Sequence, residues 1–199
     1  EAIRHRTLVA MEILDTEAEG EFDALVMAAR RIFGSRTAYI SLIDGDRQWF
    51  KAREGFAPSE VSRECSICAT AVDENREIVV ENLQEHPVYG QMPDIVAMPH
   101  FQFFVTIPLM GPPMDGVSVP IGTLCVIDYE PRETFDDTDR EILRDIADSV
   151  IGLIQRDEKL REMSELSVIN RELQHRMGNM YAHVSSLISL LDKADLEHE

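Results

Sequence analysis

The chain has 199 residues, with 19 Lys and Arg against 37 Asp and Glu, a formal charge of −18. That balance argues against nucleic-acid and anionic-membrane partners, because a phosphate surface is held by a cationic footprint. Its longest apolar stretches fall well short of a bilayer span and no basic segment followed by an apolar one opens the chain, so a cytoplasmic protein of one domain plus an appendage is expected.

Residues 3–33 read as a helix, with apolar positions Leu8, Ile13, Leu14, Phe22, Leu25, Val26, Ala29 and Ile32 and an interruption near Gly20. Ala38 to Ile43 is a strand, Asp44-Gly45-Asp46 a hairpin turn, and Gln48 to Ala52 the returning strand. Ser62 to Val72 is a short helix or loop, and Ile78-Val79-Val80 a third strand. From Asn82 to Pro99 the prolines at 87, 93 and 99 predict irregular structure. Phe103 to Met110 and Ile121 to Tyr129 are the fourth and fifth strands, separated by a Pro/Gly-rich loop. A helix then starts near Thr138, whose spacing to Glu141 is that of a capping box, with Asp136 as the alternative cap. An antiparallel sheet with helices before and after it is an α+β domain.

Four phrases narrow this further. Tyr39 to Ala52, Ser62 to Ala69, Phe103 to Leu109 and Ile121 to Arg132, in that order and separation, closely resemble the GAF domain, a sensory fold related to PAS. The resemblance implies a GAF sensor over residues 1–155 and a ligand pocket between the sheet and the segment after the third strand. The positions mapping there are Tyr39, Ser41, Trp49, Phe50, Cys68, Phe101, Phe103, Thr106 and Cys125, each of which is equally an ordinary core side chain. Bilin attachment needs a histidine close behind the cysteine, whereas Cys68 is followed by Ala69-Thr70-Ala71, so no bilin is expected. Cys65 and Cys68 have chelating spacing, yet closing a zinc site requires Cys125 and either His86 or His100, neither of which has ligand-motif spacing. No metal and no haem are expected, the ligand of the pocket is left unassigned, and the three cysteines fit a reducing compartment better than a disulfide scaffold.

The C-terminal helix carries two apolar seams. Leu143, Ile146, Val150, Leu153 and Leu160 form the first. The second is a heptad pattern with Met163, Asn170, Met177, Val184 and Leu191 at a, and Leu166, Leu173, Met180 and Leu187 at d, the seam of a coiled coil or helical hairpin. The phase slip between Leu160 and Met163 is either a switching joint or a boundary between two packing partners. In the second register His175 falls at f and Asn179 at c, so both point away from the seam on one face of the helix.

Spacing alone makes His175 an ordinary surface residue. However, Glu172-Leu173-Gln174-His175-Arg176-Met177-Gly178-Asn179 resembles the phosphoacceptor box H-R-x-x-N of the HWE-type histidine kinases. The resemblance implies that His175 accepts the γ-phosphoryl group of ATP and passes it to a response-regulator aspartate. Asn179 then supplies a polar contact beside it and Arg176 a cation for phosphate or for the partner. Residues 156–199 become the linker coiled coil and the start of a dimerisation and phosphoacceptor domain. No glycine-rich phosphate-cradling segment occurs and only Asp192 to Glu199 follow Leu191. ATP with Mg therefore belongs to the full-length kinase, and the fragment should bind no cofactor and be inactive alone.

Two other function classes stand beside this one: a noncatalytic GAF ligand-binding or dimerisation module with a helical spacer, and a redox enzyme using Cys65, Cys68 or Cys125. The absence of a basic residue adjacent to these cysteines counts against the latter. Asn170 is the one polar residue in the second seam, and such a residue favours a two-stranded state at some cost in stability. Replacing Asn170 by Leu is expected to raise the melting temperature and admit other oligomers, measured by thermal denaturation and light scattering. A variant that stays strictly dimeric with an unchanged melting temperature rejects the register.

Overall fold

A computed structural model of the chain describes residues 1–97 and 100–196, other than the side chains at 65, 94, 158, 162, 165 and 178–196. It divides into two compact units, residues 1–155 and 156–199. The first holds α1 (Ala2–Met11), α2 (Gly20–Ile32), β1 (Thr37–Asp44), β2 (Arg47–Glu54), β3 (Glu60–Ser62), α3 (Ile67–Glu74), β4 (Ile78–Val80), α4 (Pro93–Ala97), β5 (Phe103–Met110) and β6 (Pro120–Asp128). α5 (Asp137–Leu196) begins in the first unit and supplies the described helix of the second. No described helix is long and apolar enough to cross a membrane.

The strands form one sheet in the order β3-β2-β1-β6-β5-β4, every neighbouring pair antiparallel. Side chains alternate between its two faces. Ala38, Ile40 and Leu42 of β1, Trp49 of β2, Phe103, Val105, Ile107 and Leu109 of β5, and Leu124 and Val126 of β6 pack in one cluster with residues of α1, α2 and the start of α5. Tyr39, Phe50, Phe104, Cys125 and Ile127 pack on the other side with Ile67, Cys68 and Ala71 of α3 and with Leu83, Tyr89, Ile95 and Phe101. Both faces are covered, which is why β1, β5 and β6 are buried on both sides of the alternation and carry no charged residue between their ends.

Several elements differ from the sequence expectation. The first helix is two helices: Glu12 ends α1 in the left-handed conformation at φ 49°, and Gly20 begins α2 rather than interrupting a helix. Residues between them are held by Lys51, whose buried ammonium donates to Thr16 Oγ1 at 2.6 Å, pairs with Glu19 and lies 5.1 Å from the Phe22 ring centroid. A sixth strand, β3, sits at the sheet edge and pairs only with Arg47 to Trp49 of β2; three residues are too few for an alternation to register. Pro93 opens α4 instead of preventing structure, because the first helical position needs no amide hydrogen. Pro99 lies outside the described residues.

The cap of α5 is Asp136. Its Oδ1 accepts from the Asp139 amide at 3.0 Å and Asp139 Oδ2 accepts from the Asp136 amide at 3.3 Å, a reciprocal box built from two aspartates rather than Thr138 and Glu141. Within the first unit Leu143, Ile146, Ala147, Val150 and Ile154 are buried on one face of this helix, with Leu153 partly buried, and Arg140 and Arg144 both pair with Glu77 before β4. Leu160, which the first seam included, is exposed.

Gly122 of β6 faces Leu42 on one side and Leu109 on the other. A Cβ there would run into the Ser41 carbonyl oxygen and the Leu42 backbone. β1 and β6 must therefore move apart to admit a methyl group. Gly122→Ala is expected to destabilise the protein by about 1–3 kcal/mol, the usual cost of overpacking, seen as a lower urea midpoint at unchanged slope.

Candidate functional site

On the α3 face the sheet leaves a cavity of about 50 Å³ lined by Tyr39, Gln48, Phe50, Phe56, Ile67 and Ile95, among others. Its walls are aromatic: the Tyr39 and Phe50 rings meet edge-on at 4.8 Å, and Phe56 stands 5.1 Å from Phe50 and 5.6 Å from Tyr39. Only Gln48 and Ser66 bring an amide and an aliphatic hydroxyl to the lining.

Those two polar residues belong to a buried relay. The Ser66 hydroxyl donates to Gln48 Oε1, Gln48 Nε2 donates to Ser41 Oγ at 2.9 Å, and Ser41 Oγ meets Thr123 Oγ1 at 3.1 Å. Ser66 Oγ also accepts the Ala69 amide at 3.0 Å, capping α3. The relay therefore couples the start of α3 to the centre of the sheet. Burying so many polar groups is tolerable because each finds a partner.

Beside it lies a second polar group. Cys125 of β6 is paired with Tyr39 of β1 on one side and Thr106 of β5 on the other. Cys68, near the start of α3, comes down onto the same place, its Sγ 3.5 Å from Tyr39 Oη and 3.6 Å from Thr106 Oγ1. Burial raises the Cys68 thiol, but hydrogen bonds from Cys125, Thr123, Tyr39 and Thr106 outweigh it and bring the thiol down to about 6. Burial pushes Cys125 up, with Cys68 pushing further, so Cys125 keeps its proton. Tyr39 is likewise driven up by burial and by the two sulfurs.

The expected pocket residues divide. Tyr39, Phe50 and Phe101 line the cavity. Ser41, Thr106, Cys68 and Cys125 lie on the same face behind that lining, in the relay and the thiol group. Trp49 and Phe103 do not belong there: both pack in the cluster under α1, α2 and α5. The reason is the two-residue repeat of a strand, which places Trp49 opposite to Phe50 and Phe103 opposite to Phe104. The lining contributed by Gln48, Phe56, Val61, Ser66, Ile95, Phe104 and Ile127 was not anticipated. Phe104 and Ile127 follow from alternation once Tyr39 is placed, whereas Phe56 and Ile95 come from connections with no period to read.

The zinc candidates are not gathered. His86 Nδ1 accepts the Val88 and Tyr89 amides at 3.3 and 3.0 Å and its ring stacks on Tyr89, while the His100 ring packs edge-on against Phe101 and Tyr129. Among the described residues no group of three or more His, Cys, Asp or Glu is placed to hold a metal ion. The Cys65 side chain lies outside the described residues.

In the second unit His175 is an exposed residue of α5. Glu172, one turn before it, accepts from Arg176 Nε at 2.8 Å, so its carboxylate is engaged by the guanidinium rather than by the imidazole. Both partners are exposed, and a pair of this kind contributes only about 0–1 kcal/mol. The Asn179 side chain lies outside the described residues, as do those of Met180, Val184, Leu187 and Leu191. Of the second seam, Met163, Leu166, Leu173 and Met177 are all about half exposed or more.

The profile of the GAF domain matches residues 17–153. Over 142 residues the chain is 30% identical to a cyclic di-GMP phosphodiesterase of Pseudomonas aeruginosa, covering 71% of this chain and 24% of that protein. The chain thus spans about a quarter of the length of that relative. Among solved structures, the GAF domain of the Acinetobacter phosphoenolpyruvate-protein phosphotransferase superposes with a TM-score of 0.56 at 16% identity, over 80% of this chain and 98% of that one. A domain assigned to a two-component sensor histidine kinase of Sinorhizobium meliloti gives 0.53 at 22% identity, over 72% and 97%. The free methionine-R-sulfoxide reductase of Neisseria meningitidis gives 0.56 at 18% identity, over 80% and 92%. These structures share the fold, and with the profile covering more than half of its length the chain belongs to the GAF-domain family.

Proposed function

We propose that this chain is the sensor and phosphoacceptor part of a cytoplasmic two-component histidine kinase of the H-R-x-x-N type. The GAF domain, residues 1–155, reads a signal; residues 156–199 present His175. The observation that carries the reading is the box His175-Arg176-Met177-Gly178-Asn179 on α5, with an exposed imidazole. A neutral ring nitrogen at such a position is a competent nucleophile for a phosphoryl group.

In the proposed reaction, that nitrogen attacks the γ-phosphorus of MgATP held by a separate nucleotide-binding domain. The N–P bond forms, the bridging P–O bond breaks and ADP leaves; a receiver-domain aspartate then takes the phosphoryl group. Arg176 spends one N–H on Glu172 and has the others of its fork for phosphate. The exposed Met163, Leu166, Leu173 and Met177 favour a partner helix, and a second copy of the chain meets the need with a parallel coiled coil.

A noncatalytic GAF module whose helix is only a spacer is the second reading, favoured by the aromatic cavity over the α3 face. Adding the separately made ATP-binding domain of an H-R-x-x-N kinase, with γ-labelled ATP, distinguishes the two. Acid-labile, base-stable phosphate is expected on the chain and is expected to vanish in His175→Ala. If the folded chain takes no label, or if His175→Ala is labelled equally, the spacer reading replaces the first.

A further inference from the structure

The thiol group on the α3 face has a chemistry that neither packing nor phosphotransfer uses. Buried cysteines ordinarily sit among apolar side chains and stay inert. Here Cys68 and Cys125, 1% and 0% exposed, lie in an apolar cluster that also brings them hydroxyls: Cys68 Sγ meets those of Tyr39 and Thr106, the two strand partners of Cys125. The two sulfurs share Tyr39 and Thr106 as neighbours: Cys68 Sγ contacts both hydroxyls, and Cys125 is the strand partner of both residues. One sits on a helix and the other on the sheet that the helix covers.

We propose that Cys68 and Cys125 form a reversible disulfide, driven by hydrogen peroxide, that ties α3 to β6. Cys68 is the nucleophile. Its thiolate attacks one peroxide oxygen, the S–O bond forms, the O–O bond breaks and hydroxide leaves, to be neutralised by a proton from solvent. The Cys125 sulfur then attacks the Cys68 sulfenic sulfur, the S–S bond forms, and the departing hydroxyl takes the Cys125 proton as water. Two thiols lose two electrons and two protons, and one peroxide becomes two waters.

The surroundings fit these roles. Burial keeps Cys125 in the protonated form, the state a resolving thiol starts from. Cys68 lies in the first turn of α3, whose dipole favours a negative sulfur. Tyr39 stands between the Cys68 sulfur and the cavity of about 50 Å³, a space large enough for a molecule of peroxide size one side chain away from the reacting atom. This inference stands apart from His175 and from the kinase reading.

The test uses the whole chain with Cys65→Ser, which leaves only Cys68 and Cys125 of the three cysteines. After peroxide, denaturation and alkylation, the expected product is a monomer lighter by two hydrogens, with no alkylated thiol, restored by dithiothreitol. In the same background Cys125→Ala is expected to stall at a sulfenic acid on Cys68 that dimedone traps, and Cys68→Ala to leave Cys125 unoxidised. The titratable groups facing Cys68 are Cys125 and Tyr39, both raised, so the rate of disulfide formation should climb as pH passes through about 6. Two alkylated thiols after peroxide, oxygen added to one cysteine without a disulfide, or a bond only between chains overturns the proposal. A Cys125 that oxidises readily without Cys68 overturns the assignment of roles.

Discussion

A sheet buried on both faces is the constraint from which the rest of this protein follows. Each central strand has to satisfy two cores at once, so Ala38, Ile40 and Leu42 answer to α1, α2 and α5 while Tyr39, Ser41 and Ile43 answer to the α3 side. A one-residue slip of β1 against β6 would exchange these sets and bring Tyr39 and Ser41 under the helices. The close approach of the strands at Gly122 leaves no room for such a shift.

The two faces are not equivalent. The helical face is almost wholly apolar and includes the largest fully buried side chains, Phe22 and Phe103 among them. The α3 face holds the hydroxyl and amide relay, the thiols and the cavity, and it is completed by short helices and connections rather than by long amphipathic helices. Polar groups in a low-dielectric interior interact strongly when paired and are expensive when unpaired, so a change in one partner there is felt by its neighbours.

α5 joins these properties to the segment beyond. Its first part is anchored to the helical face by Leu143, Ile146, Ala147, Val150 and Ile154 and to β4 by the Glu77 ion pairs. Farther along, Leu160, Met163, Leu166, Leu173 and Met177 are all about half exposed or more. The change falls between Ile154 and Leu160, where the first unit ends, and so before the phase slip between Leu160 and Met163.

Much of this was legible from residue order. The antiparallel α+β class, β5 with its exact span of Phe103–Met110, β4 at Ile78–Val80 and the hairpin at Gly45 are written in short-range signals: alternation, β-branched runs and turn residues whose preferences hold within a few positions. The H-R-x-x-N pattern that begins at His175 is likewise local and is fully visible in sequence. What tertiary structure alone decided is which face each strand residue serves. Trp49 and Phe50, or Phe103 and Phe104, are equally apolar neighbours, and nothing in their order says which one looks toward the cavity. Nor does chain order bring Cys68 beside Cys125, or Gln48 beside Ser66, because those meetings depend on α3 folding back over strands that are distant in sequence. Periodicity carries information over one element, whereas a site assembled from five elements exists only once their packing is set.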